Sequence, residues 1–381
     1  MKILYCIPGL YNSGGMERVL TNKVNYLVNC VDYEIFIITT DGNEKKSFFE
    51  LDSRVKIENF NLNYDSHFNK PLIQKFFIHQ FKQNQYKKKL LNFIQTNKID
   101  ICISLCGKEV EFLGELEVEC VKIVEVHFSL LFRKQFMVSH FDGFIWEHLG
   151  ELRNKQLIRN LSKFDKVVVL TKDEEGKFKN NLRNIICIPN PVSIPTNLTP
   201  ISQNNKSVIS VGRLDEQKGY DNLLLAWLLV NKSYPDWKLF IYGEGDKRLE
   251  LESFINNNNM NEVIFLPGRT NNVFKLFSES SIFVLSSRYE GLPMVLIEAM
   301  AYGMPAVSFD CETGPREIIN DNVDGLLVEN QNVECLAAKL MYLIDNETLR
   351  KKIGETAYVN IKRFDIENIM PRWINLFKSF K

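Results

Sequence analysis

At 381 residues, 45% of them hydrophobic and 25% charged, the chain exceeds what one core usually holds, and two domains are expected. Its 47 basic and 47 acidic residues cancel, so no global charge points to nucleic acid. The eight cysteines lack C-x-x-C or metal-ligand spacing, and no apolar run approaches the roughly 18–20 residues of a spanning helix; free thiols in a reducing cytosol are expected.

Lys2 to Ile7 reads as a buried strand, too short in its apolar run for a signal peptide. It enters a glycine-rich turn, Pro8 to Arg18, and a helix through about Leu27. Such a turn lets backbone approach a ligand closely. Gly9, Gly14 and Gly15 are not spaced as G-x-G-x-x-G, which argues against a nicotinamide dehydrogenase. Tyr33 to Thr39 is a second strand and Val55 to Phe60 a weaker third. Asn69 to Ile99 carries Lys70, Lys75, Lys82, Lys87, Lys88, Lys89 and Lys98 without one acid, interleaved with Phe76, Phe77, Phe81 and other apolar residues. One or two amphipathic basic helices are predicted there, either lying on anionic lipid at about 1 kcal/mol per Lys or serving as scaffold with solvated lysines.

Asp100 to Leu105 and Lys122 to Phe128 are further strands, the latter with His127 at its carboxyl end. A lone His beside apolar residues is usually structural, so the residues alone say little about it. His148 is a poorer candidate, and His67, His79 and His140 read as surface or core. Val167 to Leu170 is a strand before a capping Thr171 and a run of acids. After Ile185 to Ile188, the stretch from Pro191 to Asn205 is rich in Pro, Ser, Thr and Asn and reads as a linker.

The second half opens with a strand, Ser207 to Val211, and a loop, Gly212 to Gly219, holding Arg213 and Lys218. A helix follows with Leu223, Leu224, Trp227 and Leu228 on its apolar face. Two cations on a strand-to-helix loop sit where open α/β sheets bind ligands, and together they suit a diphosphate. The plainer alternative is a solvated loop with ion pairs to Asp215 and Glu216. Strands at Lys238 to Tyr242 and Val263 to Leu266 run into Gly243-Glu244-Gly245 and Pro267-Gly268-Arg269. Ser281 to Leu285 is a buried strand, followed by a turn with Glu290 and Gly291, and Pro293 is placed at the first helical position. Glu298 lies on that helix, eight positions after Glu290. Carboxylates beside a helix N-terminus would repel a phosphate but accept bonds from hydroxyls, so phosphate and hydroxyls on one ligand point to a sugar nucleotide. Alternatively, both are acids favoured by the helix dipole. Ala306 to Phe309 and Gly325 to Val328 are the last strands, and Ile366 to Phe380 is an aromatic-rich helix.

The segments G-R-L-x-x-x-K-G at Gly212–Gly219 and E-G-L-P-x-x-x-x-E-A-M-A-x-G-x-P at Glu290–Pro305 resemble the retaining glycosyltransferases of family 4, of the bacterial polysaccharide and lipid-linked glycan type. Gly14-Gly15-Met16-Glu17-Arg18 is similar to that family's opening G-G-x-E-R. The resemblance implies an α/β chain of the GT-B fold, two Rossmann-like domains facing across a cleft. It places an acceptor-side domain at 1–190, a linker at 191–205, a nucleotide-sugar domain at 206–363 and a helix crossing back at 364–381.

It further implies transfer of a hexose or N-acetylhexosamine from a nucleotide sugar, UDP-linked on the wording of Thr313 to Ile319, to a glycan or lipid-linked glycan. Arg213 and Lys218 would neutralise the leaving diphosphate, Glu298 would hold the ribose hydroxyls and Glu290 a sugar hydroxyl. His127 would reach the donor sugar, Gly14 and Gly15 the phosphates, and Gly268 and Arg269 the nucleobase, with Gly291, Leu292, Met294 and Val295 completing the donor site. No D-x-D occurs, so no metal cofactor is expected. The expected setting is cytoplasmic, with contact to the inner membrane face through Lys70 to Lys98. An epimerase or phosphorylase of the same fold, or a non-catalytic sugar-nucleotide or glycan-binding subunit, stays open at this point.

Overall fold

The computed structural model describes the chain apart from residues 13, 43–44, 65–70, 130–143, 195–204, 271 and 381, and the side chains of 72–73 and 144–149. Lys70, His67, His140, the His148 side chain and most of the expected linker therefore lie outside the described residues. The chain divides into two compact units, Met1–Pro191 with Ile369–Lys381, and Val192–Asn368.

The first unit is built on a sheet of β1 (Lys2–Ile7), β2 (Glu34–Thr39), β3 (Lys56–Asn59), β4 (Ile101–Ser104), β5 (Val121–Val126), β6 (Lys166–Val169) and β7 (Ile185–Cys187). Its order is β3-β2-β1-β4-β5-β6-β7, every pairing parallel. In the second unit β8 (Ser207–Val211), β9 (Lys238–Tyr242), β10 (Ile264–Gly268), β11 (Ile282–Leu285), β12 (Ala306–Asp310) and β13 (Leu326–Glu329) form a parallel sheet of order β10-β9-β8-β11-β12-β13. Strands buried on both faces need apolar residues without alternation, and runs such as Ile282–Leu285 supply them, all buried. Each sheet winds outward in both directions from its first strand, so each has a switch point, between β1 and β4 and between β8 and β11. Ligands of open α/β sheets bind at the carboxyl ends of the strands there.

Helices cover the sheets through their apolar stripes. Tyr220–Ser233 buries Leu223, Leu224, Trp227 and Val230, a spacing of three and four that keeps them on one face. Each such side chain contributes about 1.5–3 kcal/mol by leaving water. The terminal helix Ile366–Lys378 buries Ile369, Met370, Trp373 and Phe377.

The basic segment forms a single helix, Leu72–Asn97, closed by Lys98 in the left-handed region (φ 51°). Tyr86, Leu90 and Ile94 anchor it in the core, while Phe76, Phe77 and Phe81 stand 59%, 68% and 64% exposed. The lysines are not uniformly solvated. Lys82 is buried, its ammonium donating to the Asn63 carbonyl, and Lys89 donates to the Phe60 carbonyl at 2.8 Å. Among the described residues no helix is long and apolar enough to cross a membrane.

Candidate active site

In the second unit Arg213, Lys218 and Glu290 lie on the loops that leave β8 and β11 at the switch point. β8 ends at Val211 and passes through Gly212 and Arg213 into a short turn, Glu216–Lys218. Gly219 follows in the left-handed region (φ +60°) and caps the helix Tyr220–Ser233. The turn is sewn to the loop after β11. Ser286 Oγ donates to the Lys218 carbonyl at 2.9 Å, the Arg288 N–H to the Gln217 carbonyl at 2.8 Å, and Gln217 Nε2 to the Tyr289 carbonyl at 3.1 Å. Arg288 also clamps Asp221 with two bonds of 2.9 and 2.6 Å. Burial raises the Asp221 carboxyl, but Arg288 outweighs it and the group ends below its ordinary range.

Lys218 Nζ donates to Glu290 Oε1 at 2.6 Å across a sequence separation of 72 residues. Ser287 Oγ donates to the same oxygen at 2.7 Å. Both bonds land on Oε1, so Oε2 has no hydrogen-bond partner among the described residues. The ammonium has three donors and spends one here. Arg213 is different: its side chain is 73% exposed, and among the described residues Nη2 alone is engaged, with Asp215 at 3.1 Å and Gln217 at 3.2 Å. The solvated-loop alternative therefore describes Arg213 in part and not Lys218, whose side chain is 14% exposed and whose partner is Glu290.

Glu298 lies on the helix Met294–Ala301 and is buried. That helix has no acid in its first turn, so the helix-dipole alternative for Glu290 and Glu298 fails. Pro293 is its N-cap rather than its first helical residue, because its ψ of 95° is extended. Leu292 is buried and Gly291, Met294 and Val295 are half-buried along the same turn. The Thr313–Gly314 loop packs onto it, with Thr313 Oγ1 donating to the Glu290 carbonyl. A Cβ on Gly314 would lie 2.7 Å from both the Gly291 carbonyl oxygen and Pro293 Cδ. Gly268 accepts from the Gly243 N–H at 2.9 Å, and a Cβ on Gly243 would lie 1.8 Å from the Gly212 carbonyl oxygen, so the β9 end leaves room only for glycine beside the cationic loop. Arg269 is exposed.

In the first unit Gly14 caps the helix Gly15–Cys30, and the Glu17 carboxylate is tucked under the turn. A Cβ on Gly14 would sit 2.3 Å from Glu17 Oε2. Burial pushes the Glu17 carboxyl above its usual range, against the pull of its own backbone N–H, Asn12 and His127. His127 follows β5 with its side chain 8% exposed, Nε2 lying 3.3 Å from Glu125 Oε2. Neither ring nitrogen has an aligned hydrogen-bond partner among the described residues. Glu125 receives both of its oxygens' bonds from Lys23 Nζ, at 2.6 and 2.7 Å, and both residues are buried.

Lys23 and Glu125 were not singled out from sequence, although each left a sign. Lys23 stands among Leu20, Val24 and Leu27 on the buried face of its helix, where a lysine needs a partner. Glu125 is two residues before His127 along a strand, a spacing that places both on one side. Ser287, Arg288 and Thr313 left no comparable sign.

A family model described as "Glycosyl transferases group 1" matches residues 198–360. A Haemophilus influenzae glycosyltransferase, uncharacterized by name, is 31% identical over 386 residues, covering 98% of this chain and 98% of that one. The chain is a group 1 glycosyltransferase. This glycosyltransferase is also similar to the amylovoran biosynthesis glycosyltransferase AmsD of Erwinia amylovora, 30% identical over 385 residues with 98% of each chain covered. Among solved structures it resembles S. aureus TarM, a variant of which was crystallised with Fondaparinux, alpha-GlcNAc-glycerol and UDP. That likeness has a TM-score of 0.79 at 21% identity and covers 99% of this chain and 100% of TarM. The two Rossmann-like parallel-sheet units are those of the GT-B class, as the motifs implied.

Proposed function

We propose that this glycosyltransferase moves a hexose or N-acetylhexosamine from a UDP-linked sugar to a glycan or lipid-linked glycan, with retention, in cell-surface polysaccharide synthesis. The observation that carries this is the Lys218–Glu290 cluster, where two motif halves 72 residues apart meet at the β8/β11 switch point. The name of AmsD and the UDP held by TarM support the pathway and the nucleotide.

In this reading the bond between the anomeric carbon and the diphosphate oxygen breaks on the face where the acceptor oxygen bonds, and the acceptor hydroxyl's proton passes to the departing diphosphate. Charge accumulates on the departing diphosphate, and Lys218 and Arg213 neutralise it, a role that needs no metal ion. Removing one such preorganised donor typically costs 10²–10³ in turnover, about 2.7–4 kcal/mol. Glu298 accepts bonds from the ribose hydroxyls, and Glu290 Oε2 accepts from a hydroxyl of the donor sugar. Gly14 and Gly15 present a helix N-terminus to phosphate, Gly268 and Arg269 seat the base, and His127 positions the sugar. The acid-free helix Leu72–Asn97, with Phe77 and Phe81 exposed on one face, makes peripheral contact with an anionic inner-leaflet surface.

The test is UDP release from UDP-glucose, UDP-galactose and their N-acetyl forms in EDTA, with lipid-linked and polysaccharide acceptors. One donor is expected to be consumed, with an α-linked product by NMR. Sugar 1-phosphate formed only with added phosphate, an epimerised sugar without acceptor, or activity restored only by manganese would each overturn part of the reading.

A further inference from the structure

Lys23 and Glu125 form an ion pair with side chains 2% and 1% exposed, inside the first unit. Such a pair is a poor stabiliser, because removing two charges from water offsets most of their attraction. Its surroundings are specific. The Lys23 ammonium lies 3.5 Å from the centre of the Trp373 ring on the terminal helix and 5.6 Å from the Tyr5 ring on β1. On the other side Glu125 Oε2 lies 3.3 Å from His127 Nε2, and both ring nitrogens are buried with no aligned hydrogen-bond partner among the described residues.

We propose that Glu125 is the positioning residue for His127. Its carboxylate draws the Nε2 proton and orients the ring with Nδ1 toward substrate, while Lys23, walled by Trp373, holds the carboxylate in place. The inference rests on the reading that His127 serves the donor sugar. A carboxylate fixed by a buried ammonium cannot turn toward solvent, so the imidazole meets one acceptor in one orientation. Burial raises the Glu125 carboxyl, but Lys23 and His127 outweigh that effect and leave it below its ordinary range, hence ionised. Among the described residues Glu17 on the first helix also faces His127, and Tyr5 on β1 faces Lys23 and Glu125; both are shifted upward mainly by burial and so biased to their neutral forms.

The test combines ¹⁵N NMR of the imidazole rings with steady-state kinetics on the full chain. With only five histidines in the sequence, a His127→Gln spectrum assigns the ring. In the wild type the neutral ring is expected to hold one tautomer, protonated at Nε2, and in Glu125→Gln to show a mixture of the two. Turnover is expected to drop on the order of 10²-fold with donor KM little changed, as for a misplaced group. The paired variant Lys23→Met with Glu125→Gln removes both charges together and should show the same mixture, so it decides the point where the single variant does not fold. An unchanged tautomer in both variants overturns the proposal. A His127→Ala enzyme with normal turnover sinks the donor-sugar reading instead, and the tautomer still decides whether Glu125 governs the ring.

Discussion

Gly219 and Gly176 make a pair of glycines for which the same substitution should act in opposite directions. Gly219 has φ +60°, and a Cβ there would lie 2.3 Å from the Ser286 carbonyl oxygen, a backbone atom of the β11 loop. An alanine in the left-handed region costs about 1–2 kcal/mol. Relieving the overlap means moving the loop, at about 1–3 kcal/mol for an overpacked site. The sum, roughly 2–5 kcal/mol, is a large share of the 5–15 kcal/mol that holds a typical domain. For a unit of this size 1 kcal/mol moves Tm by about 2–4 °C, so Gly219→Ala should lower the second unit's transition by at least about 4 °C. Gly176 sits on the exposed face of the helix Lys172–Phe178, with nothing within 4 Å of an added Cβ. There alanine should stabilise the first unit by about 0.5–1 kcal/mol. Scanning calorimetry of the full chain measures both. Shifts of one sign in both variants, or a Gly219→Ala transition within about 1 °C of wild type, would refute the claim that the turn is clamped against β11. Because the same clamp sets Lys218 against Glu290, Gly219→Ala should also weaken UDP binding, whereas Gly176→Ala should leave it unchanged.

Glu17→Gln should stabilise the protein more at pH 8 than at pH 4. The folded Glu17 carboxyl sits above its ordinary 4.5, mainly through burial, so the folded state holds this proton longer than the unfolded chain. Stability from that proton is complete below the unfolded value and is lost as pH rises through the folded one. A Tm change equal at both pH values would show that the carboxyl is not the cause. On the Leu72–Asn97 helix, Phe77→Ser with Phe81→Ser should reduce pelleting with anionic liposomes while leaving Tm within about 2 °C, since both rings are exposed. Equal pelleting would leave the helix as scaffold.

Much of the second unit was legible because buried parallel strands read as unbroken apolar runs. Ser207–Val211 and Lys238–Tyr242 have the bounds that the pattern gave them. Arg213, Lys218 and Glu290 were legible as charges of the loops after β8 and β11, but not in their pairing. That Lys218 meets Glu290 while Arg213 stays exposed depends on the seam between the β8 and β11 loops, whose bonds Ser286, Arg288 and Gln217 donate to backbone carbonyls. Carbonyls carry no sequence identity. The Lys23–Glu125 pair was missed for a related reason: its members lie 102 residues apart, and each alone resembles an ordinary surface charge. On the long basic helix the scaffold alternative, with its lysines solvated, does not describe Lys82, which is buried and donates to the Asn63 carbonyl.

The central claim is that Lys218 and its neighbours hold the diphosphate of a uridine nucleotide without metal. Its most direct test is thermal unfolding in EDTA with UDP, GDP and ADP, for wild type and Lys218→Met. At about 100 times its dissociation constant a ligand specific to the folded state adds about 2.7 kcal/mol. That corresponds to roughly 5–11 °C for a unit of this size. The account predicts this shift with UDP in wild type and its loss in Lys218→Met. A full UDP shift in Lys218→Met, or a shift with GDP or ADP alone, would contradict it.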